Sequence, residues 1–158
     1  MSKFKPYKKI DILFNEDFDE FYRNGVRGII FDIDNTLVED NAKLDDRARS
    51  FIESLKNKGF KLCIVSNNGL ERVREFCEPL GVKFVYKAKK PSKAGFIKAM
   101  RLMGTKRADT ISIGDQIFTD VLGANRAGIK SYLCEPINRK TERKHIKFKR
   151  IFEKLFDR

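Results

Sequence analysis

The residues of this chain whose types could do chemistry fall in four short polar segments. Three segments follow directly on an apolar run, and one stands just before a Pro-Ser pair that is typical of a helix start. The candidates are Asp32, Asp34 and Thr36; Ser66 and Asn67; Lys90; and Asp115 and Asp120. The chain has a single histidine, His145, so histidine clusters and triads are excluded. Catalysis must therefore rest on carboxylates, hydroxyls or lysine.

Three aspartates brought together without a histidine would repel one another. A hard divalent cation with oxygen ligands is the simplest relief, and Mg²⁺ is the expected choice. A lysine and a hydroxyl in the same crevice would add a positive charge and a small donor beside a helix N-terminus, which favours phosphate. An aspartate beside the cation could attack phosphorus, and a second carboxylate two residues later could serve as acid and base. These residue types predict a phosphate ester substrate.

Five apolar runs would position these residues as strands of one sheet. The runs cover residues 26–31, 60–65, 83–86, 110–114 and 129–134. Their length, β-branched content and near-continuous hydrophobicity are typical of strands buried on both faces. Helical patterns alternate with them, so the sequence predicts an α/β fold: a doubly wound, Rossmann-like, mostly parallel five-stranded sheet with helices on both faces. Ligands of such sheets bind at the carboxyl ends of the strands, where the four polar segments would meet.

Amphipathic patterns predict the helices between these strands. Apolar residues recur at helical spacing over residues 48–55, 70–80 and 96–103, and a shorter helix should run from Thr119 to about Ala127. Glycines at 59, 81, 104 and 128 follow the four patterns as stop signals. Each predicted helix thus links two successive strands.

The sequence predicts a single domain over residues 1–158, because the length suits one core and no linker interrupts it. Residues 1–25 are expected to form a leader that packs on the core as a turn and a short helix. The formal net charge is +12. Residues 1–9 carry +4 and residues 138–158 carry +6, whereas the remainder is nearly neutral. The basic ends indicate an anionic partner, such as a membrane surface or a nucleic acid.

Residues 138–158 are expected to form a basic C-terminal helix. Its apolar members recur at helical spacing, with Lys and Arg on the other faces; they are Phe148, Ile151, Phe152, Leu155 and Phe156. Such a helix could lie peripherally on an anionic bilayer. It could equally be a solvated last helix packed on the domain.

Composition also predicts the compartment. No stretch approaches the roughly 18 apolar residues of a membrane span, and the Lys-rich start lacks the apolar core of a signal peptide. We therefore expect a soluble, cytoplasmic protein. Cys63, Cys77 and Cys134 have apolar neighbours and form no CxxC pair, which favours small buried hydrophobes over disulfides or metal ligands.

The four polar segments resemble, in order and spacing, the four motifs of the haloacid-dehalogenase-like phosphatases of subclass IIIA. The matching stretches are DIDNTLV, SNN, KKP and GDQIFTDVLGANRAG. They are most similar to the bacterial YqeG-type branch, which is related to mitochondrial phosphatidylglycerophosphate phosphatases. The likeness covers about residues 10–137, and no motif position departs from the pattern.

The resemblance implies a role for each acidic candidate. Asp32 would be the nucleophile and a Mg²⁺ ligand, and Asp34 would be the general acid and base and give the metal its backbone carbonyl. Asp115 would be a direct metal ligand. Asp120 and Thr36 would belong to the outer shell. For Asp120, capping the helix that begins near Thr119 is an alternative.

The resemblance also implies a phosphate-binding set. Ser66 with the Asn67 amide would hold the phosphoryl oxygens, although both residues could instead cap the following helix. Lys90 would balance the charge on Asp32 and on the phosphate. Other lysines nearby compete for that role, but Lys90 alone directly precedes the helix start; the competitors are Lys87, Lys89 and Lys93.

The spacing of the motifs limits the substrate. Only 29 residues separate Thr36 from Ser66, and 23 separate Ser66 from Lys90, so each stretch is used up by one helix and one strand. The related phosphatases insert cap domains at these places, and here no cap domain fits. We expect an open crevice that takes a large or surface-presented substrate, unless a neighbouring subunit closes it.

The leading hypothesis is a Mg²⁺-dependent phosphatase that works through an aspartyl-phosphate, with a lipid phosphate such as phosphatidylglycerophosphate as favoured substrate. The basic ends also fit a nucleic-acid end (3′-) phosphatase. A phospho-accepting signalling module is a third alternative, but it would leave Asp34 without a role. The sequence leaves the oligomeric state open.

Overall fold

The computed structural model describes residues 2–156, which contain a six-stranded sheet. The strands are β1 (Lys8–Ile10), β2 (Gly28–Phe31), β3 (Lys61–Val65), β4 (Lys83–Val85), β5 (Thr110–Gly114) and β6 (Lys130–Cys134). They lie in the order β1-β6-β5-β2-β3-β4, and every neighbouring pair is parallel. The predicted doubly wound α/β fold is confirmed, whereas the predicted number of five strands is wrong.

The additional strand comes from the leader, which was expected to contain only a turn and a short helix. β1 pairs with β6, and Lys8 lies opposite Tyr132. The chain then forms a 3₁₀ turn and α1 (Phe18–Arg23), where the Asp17 carboxylate accepts a hydrogen bond from the Glu20 amide. β1 gives little sequence signal because it has three residues, two of them exposed lysines of the kind that protect an edge strand.

The sheet is buried on both faces. Because successive side chains of a strand point to opposite sides, each strand contributes to two cores. On one face, Ile29 and Phe31 of β2 share a core with α1, α2 (Asp46–Asn57) and α3 (Leu70–Cys77). On the other face, Ile30 shares a core with α4 (Ala94–Met103) and α5 (Leu122–Ala127). Each crossover between strands contains a helix, and the longest of the loops beside these helices, residues 32–45, connects β2 to α2. No inserted cap domain occurs within the described residues.

The connection from β5 to α5 differs from the α-helix predicted from Thr119. A π-helical turn spans Ile117–Val121 and continues into α5. This turn buries Asp120 and brings its carboxyl group against β5. A Cβ atom built on Gly114 would lie 2.3 Å from Asp120 Cγ, so only glycine permits this close approach.

The C-terminal segment forms α6 (Lys144–Glu153), and positions 157–158 of the predicted helix lie outside the described residues. α6 packs on the domain through Ile146, Arg150 and Glu153, which are buried. Its apolar stripe points away from the core, with Phe148 62%, Ile151 63% and Leu155 68% exposed. At the end of the described residues, Phe156 stacks on Phe4 with ring centroids 4.8 Å apart. The helix therefore combines packing on the domain with an exposed apolar face.

None of the helices within residues 2–156 is both long enough and apolar enough to cross a bilayer.

Candidate active site

The carboxyl edge of the sheet brings the predicted polar residues together. Asp32 follows β2, Ser66 follows β3 and Asp115 follows β5, and these three strands are neighbours in the sheet. A small crevice of about 80 Å³ opens at this edge. Five of the predicted residues line it: Asp32, Asp34, Ser66, Asn67 and Lys90. Asp115 and Asp120 lie behind it, within reach of Asp32.

Lys90 provides the positive charge at the base of the crevice. Its Nζ lies 3.1 Å from Asp32 Oδ1 and donates a hydrogen bond to Asp120 Oδ1 at 2.6 Å. Burial lowers the pKa of Lys90, but the two aspartates outweigh it and hold the pKa above its ordinary value. Lys90 is therefore a fixed cation, 7% exposed, that faces the predicted nucleophile.

Asp32, Asp115 and Asp120 form a cluster in which one carboxylate oxygen of each lies within 4.8 Å of the others. Burial raises the pKa of Asp32 well above its ordinary value; Lys90 opposes this rise, and the other two aspartates add to it. Burial also raises the pKa of Asp115 to about 7, with Asp120 adding to the rise and Arg150 opposing it. Three buried carboxylates repel one another when all of them are charged. A hard divalent cation would relieve this repulsion and prefers oxygen ligands, so the cluster fits such an ion.

Asp34 also lines the crevice, but its carboxylate is not a member of this cluster. Asn68 Nδ2 donates to Asp34 Oδ2 at 2.5 Å, and Arg72 donates to Asp34 Oδ1 at 3.1 Å. The backbone amide of Asn41 also donates to Oδ1, at 2.7 Å. These three donors fix the carboxyl group in one orientation at the crevice. Asn68 thus orients Asp34 and is part of the site, which sequence reasoning missed.

Ser66 and Asn67 occupy the turn after β3 and differ in what their side chains do. Ser66 is fully buried, and its Oγ accepts hydrogen bonds from the backbone amide and the side-chain amide of Asn68. Its own hydroxyl proton remains available to an acceptor in the crevice. The Asn67 side chain clamps the backbone of Lys90, accepting from Lys90 N at 2.7 Å and donating to Lys90 O at 3.2 Å. Asn67 therefore positions the lysine.

Asp120 has features of both roles that the sequence left open, an outer-shell carboxylate and an anchor at the start of a helix. Its Oδ2 accepts a hydrogen bond from the Gln116 backbone amide at 3.1 Å, as a helix-terminal anchor would. Its Oδ1 accepts from Lys90 and lies in the carboxylate cluster. Asp120 sits inside the π-helical turn and is not its N-cap, which is Gln116. One side chain thus ties the turn to the lysine and to the cluster.

Asp115 is held from both sides of the sheet edge. Thr36 Oγ1 donates to Asp115 Oδ1 at 2.9 Å. Arg150 of α6 forms an ion pair with Asp115 Oδ2 and donates through NH1 to the Asp115 backbone carbonyl at 2.8 Å. Arg150 also pairs with Glu142, which accepts from Asn35 Nδ2 at 3.2 Å. Thr36 therefore orients the predicted metal ligand, and the C-terminal helix reaches the same carboxylate.

α6 also forms one wall of the crevice. Four of its residues or their immediate neighbours line it: Arg143, His145, Ile146 and Lys149. From the sequence, residues 138–158 were expected to lie on an anionic surface or to pack on the domain. Their place in the wall of the crevice was missed. The spacing of Arg143, Ile146 and Arg150 is helical and could have indicated a second functional face. The crevice is therefore partly covered by the chain's own last helix.

An open parallel sheet with a buried lysine and clustered carboxylates at its carboxyl edge fits an enzyme that acts on phosphate esters. Residues 38–128 match the family model of the haloacid dehalogenase-like hydrolases. The chain belongs to this family, and it is a phosphatase.

Two curated relatives cover most of the chain. The probable phosphatase YqeG of Bacillus subtilis (strain 168) is 43% identical over 135 residues, which are 85% of this chain and 78% of that protein. Phosphatidylglycerophosphate phosphatase 1, chloroplastic/mitochondrial, of Arabidopsis thaliana is 28% identical over 149 residues. That match covers 87% of this chain and only 42% of the plant protein.

Solved structures share the fold at low sequence identity. The cobalt-bound deoxy-D-mannose-octulosonate 8-phosphate phosphatase of Haemophilus influenzae has a TM-score of 0.56 and 17% identity, covering 70% of this chain and 68% of that one. The corresponding phosphatase of Moraxella catarrhalis, in complex with magnesium ion, phosphate ion and KDO, has a TM-score of 0.52 and 15% identity, covering 73% of each chain. At these identities the likeness concerns the fold alone.

Proposed function

We propose that this phosphatase is Mg²⁺-dependent and hydrolyses phosphate monoesters through an aspartyl-phosphate on Asp32. The observation that carries the proposal is the position of Lys90, whose Nζ lies 3.1 Å from Asp32 Oδ1 and 2.6 Å from Asp120 Oδ1. A buried lysine beside a buried carboxylate balances the charge of that carboxylate and of an incoming phosphoryl group.

The residues fit a divalent cation through their donor chemistry. Asp32 and Asp115 would hold it with carboxylate oxygens and Asp34 with its backbone carbonyl, while Asp120 and Thr36 would act as an outer shell. A bound Mg²⁺ would neutralise the carboxylates and the phosphoryl oxygens, which is the chemistry such an ion supplies. The magnesium and phosphate ions in the Moraxella catarrhalis relative support this choice of ion.

The protein's own residues carry the proposed reaction. The Asp32 carboxylate attacks phosphorus, which forms a carboxyl–phosphate bond and breaks the bond to the ester oxygen. Asp34 donates its proton to that leaving oxygen. Asp34 then takes a proton from water as the water attacks the same phosphorus, which releases inorganic phosphate and restores Asp32. The Ser66 hydroxyl, the Asn67 backbone amide and the Lys90 ammonium hold the phosphoryl oxygens in both steps.

A lipid phosphate such as phosphatidylglycerophosphate is the favoured substrate. α6 borders the crevice and exposes Phe148, Ile151 and Phe152, the turn after it exposes Leu155, and lysines flank this stripe. A second copy of the chain would bring like charges together on that face, whereas an anionic bilayer complements both its charge and its apolar surface. A peripheral position on such a bilayer would present lipid headgroups to the crevice. The plant relative named for this substrate supports the choice.

A nucleic-acid end phosphatase is the alternative, because basic surfaces also bind phosphate backbones. Co-flotation with anionic vesicles and gel shift with an oligonucleotide, each at two salt concentrations, separate the two. We expect flotation, and we expect Ile151→Ser/Leu155→Ser to lose it while Ile12→Ser, an exposed apolar residue away from α6, keeps it. A gel shift without flotation would favour the nucleic-acid alternative and overturn the lipid proposal.

Activity assays test the substrate directly. In mixed micelles, phosphatidylglycerophosphate should be hydrolysed with a higher kcat/KM than soluble monoesters, and equal values would count against a lipid substrate. The signalling-module alternative predicts that acetyl phosphate labels the protein without release of inorganic phosphate. Release would exclude that alternative.

A further inference from the structure

The mouth of the crevice is cationic because of α6. Lys149 and His145 line the crevice together with Asp32, Ser66 and Lys90. Lys90 is 7% exposed, whereas Lys149 and His145 are exposed to solvent. The crevice thus has a lysine at its inner end, where the reacting phosphoryl group would sit, and a second lysine at its outer end.

In the described part of the chain, neither Lys149 nor His145 has a partner within the fold that would explain its place at the crevice. Within residues 2–156, no acidic oxygen lies within 4.0 Å of the Lys149 ammonium or the His145 ring, and neither side chain makes a hydrogen bond. The acids of the crevice are engaged elsewhere, Asp32 by Lys90 and Asp34 by Asn68 and Arg72. Arg143, the third basic residue of this wall, does have acidic partners, since it lies 3.2 Å from Asp40 Oδ1 and 4.0 Å from Asp34 Oδ2.

α6 holds these groups in place. Arg150, one residue after Lys149, is buried and bound to Asp115 and Glu142. Glu153 Oε1 accepts a hydrogen bond from the Phe118 backbone amide at 3.1 Å, which fixes the next turn of the helix to the domain. The backbone position of Lys149 at the crevice is therefore set by two buried contacts of its own helix.

We infer that Lys149 and His145 form a subsite for a second anionic group of the substrate, on the leaving-group side of the ester. The inference rests on the proposed phosphomonoesterase function. An unpaired lysine at the mouth of a crevice that accepts a phosphate attracts a further negative charge. The substrate class is a phosphate monoester whose alcohol part carries a phosphodiester or another anion. A single-phosphate alcohol would leave the outer subsite without a ligand.

Two soluble substrates test the subsite without a membrane. Glycerol 3-phosphate carries one phosphate, and glycerophosphoglycerol phosphate carries the same terminal monoester and an additional phosphodiester. We expect the second to have a KM lower by on the order of tenfold with a similar kcat, and we expect added salt to reduce the difference. Lys149→Gln should raise the KM of the two-anion substrate by up to roughly fivefold, and it should raise that of glycerol 3-phosphate by a clearly smaller factor.

Lys144→Gln is the matched control, because it removes the same charge from the same helix at a position that does not line the crevice. Equal KM values for the two substrates in the wild-type protein, or an equal effect of both variants, would overturn the subsite. A general aryl phosphate assay separates this failure from failure of the proposed function. If the aryl phosphate is hydrolysed and the preference is absent, the function stands and the subsite is wrong; if no ester is hydrolysed, both are wrong.

Discussion

Arg150 of α6 is bound to Asp115 at the carboxyl end of β5, through an ion pair with the carboxylate and a 2.8 Å hydrogen bond to the backbone carbonyl. The same guanidinium pairs with Glu142 and lies 3.7 Å from Glu153. Burial lowers the pKa of Arg150, but these acidic partners outweigh it and keep the group charged. A residue 35 positions away along the chain thus completes the surroundings of a predicted metal ligand.

Removal of this arginine should destabilise the protein. Arg150→Met leaves buried carboxylates without their cation, which typically costs about 3–5 kcal/mol of unfolding free energy. Urea denaturation followed by circular dichroism measures the loss. The control Arg139→Met breaks an exposed pair with Glu135 and should cost less than about 1 kcal/mol. Equal losses in the two variants would show that the Arg150 network contributes no special stability.

Asp115 predicts how stability depends on pH in the absence of divalent cations. Its pKa of about 7 in the folded protein exceeds the ordinary value of 3.8, so between these values the folded state holds a proton that the unfolded chain has released. The stability contributed by that proton is complete below pH 3.8 and is lost as the pH rises through 7. Asp115→Asn should therefore lose less stability than the wild type between pH 5 and pH 7 in EDTA. A parallel pH profile of the two proteins would contradict the prediction.

Binding of Mg²⁺ should restore the stability that the protein loses as Asp115 ionises. An ion that binds only the folded state at a hundredfold excess over its Kd adds about 2.7 kcal/mol to the unfolding free energy. The increase should be larger at pH 8 than at pH 5.5, because protons compete for Asp32 and Asp115 at the lower pH. Asp115→Asn should lose most of the increase, and Asp46→Asn, which changes an exposed aspartate at the start of α2, should keep it. Calorimetric scans with Mg²⁺ and with EDTA measure the effect, and an unchanged Tm in the wild type would exclude a magnesium site.

Gly114→Ala should damage the site more than the fold. The new Cβ would lie 2.3 Å from Asp120 Cγ, so the carboxylate that accepts from Lys90 must move. A displacement of about 1 Å in a catalytic arrangement can cost roughly a hundredfold in kcat. Gly69→Ala is the control, since a Cβ there meets no atom within 4 Å and the backbone needs no positive φ. Full activity of Gly114→Ala would show that Asp120 has no positioning role.

The sequence was sufficient to predict most of the fold and the polar edge of the sheet. Strands such as β5 are fully buried, so their apolar runs mark them almost residue by residue. Asp32, Ser66 and Lys90 meet because carboxyl ends of parallel strands share one edge. The three cysteines are free and buried, as their apolar neighbours in the sequence predicted.

Features that depend on long-range contacts escaped prediction. β1 is defined by pairing with β6 and has only one buried residue. Arg150 looks like any other basic residue of the tail until Asp115 and Glu142 are placed around it. The apolar stripe at residues 148–156 left the buried face of α6 open, because periodicity identifies a face without showing whether protein or another phase covers it.

The central claim is tested most directly by Asp32→Asn, assayed with p-nitrophenyl phosphate in the presence of Mg²⁺. The amide cannot attack phosphorus, so we expect turnover to vanish while the folded structure, checked by circular dichroism, remains. Asp45→Asn is the matched control, because Asp45 only caps α2 and asparagine caps a helix equally well. A kcat close to wild type in Asp32→Asn would contradict the aspartyl-phosphate mechanism.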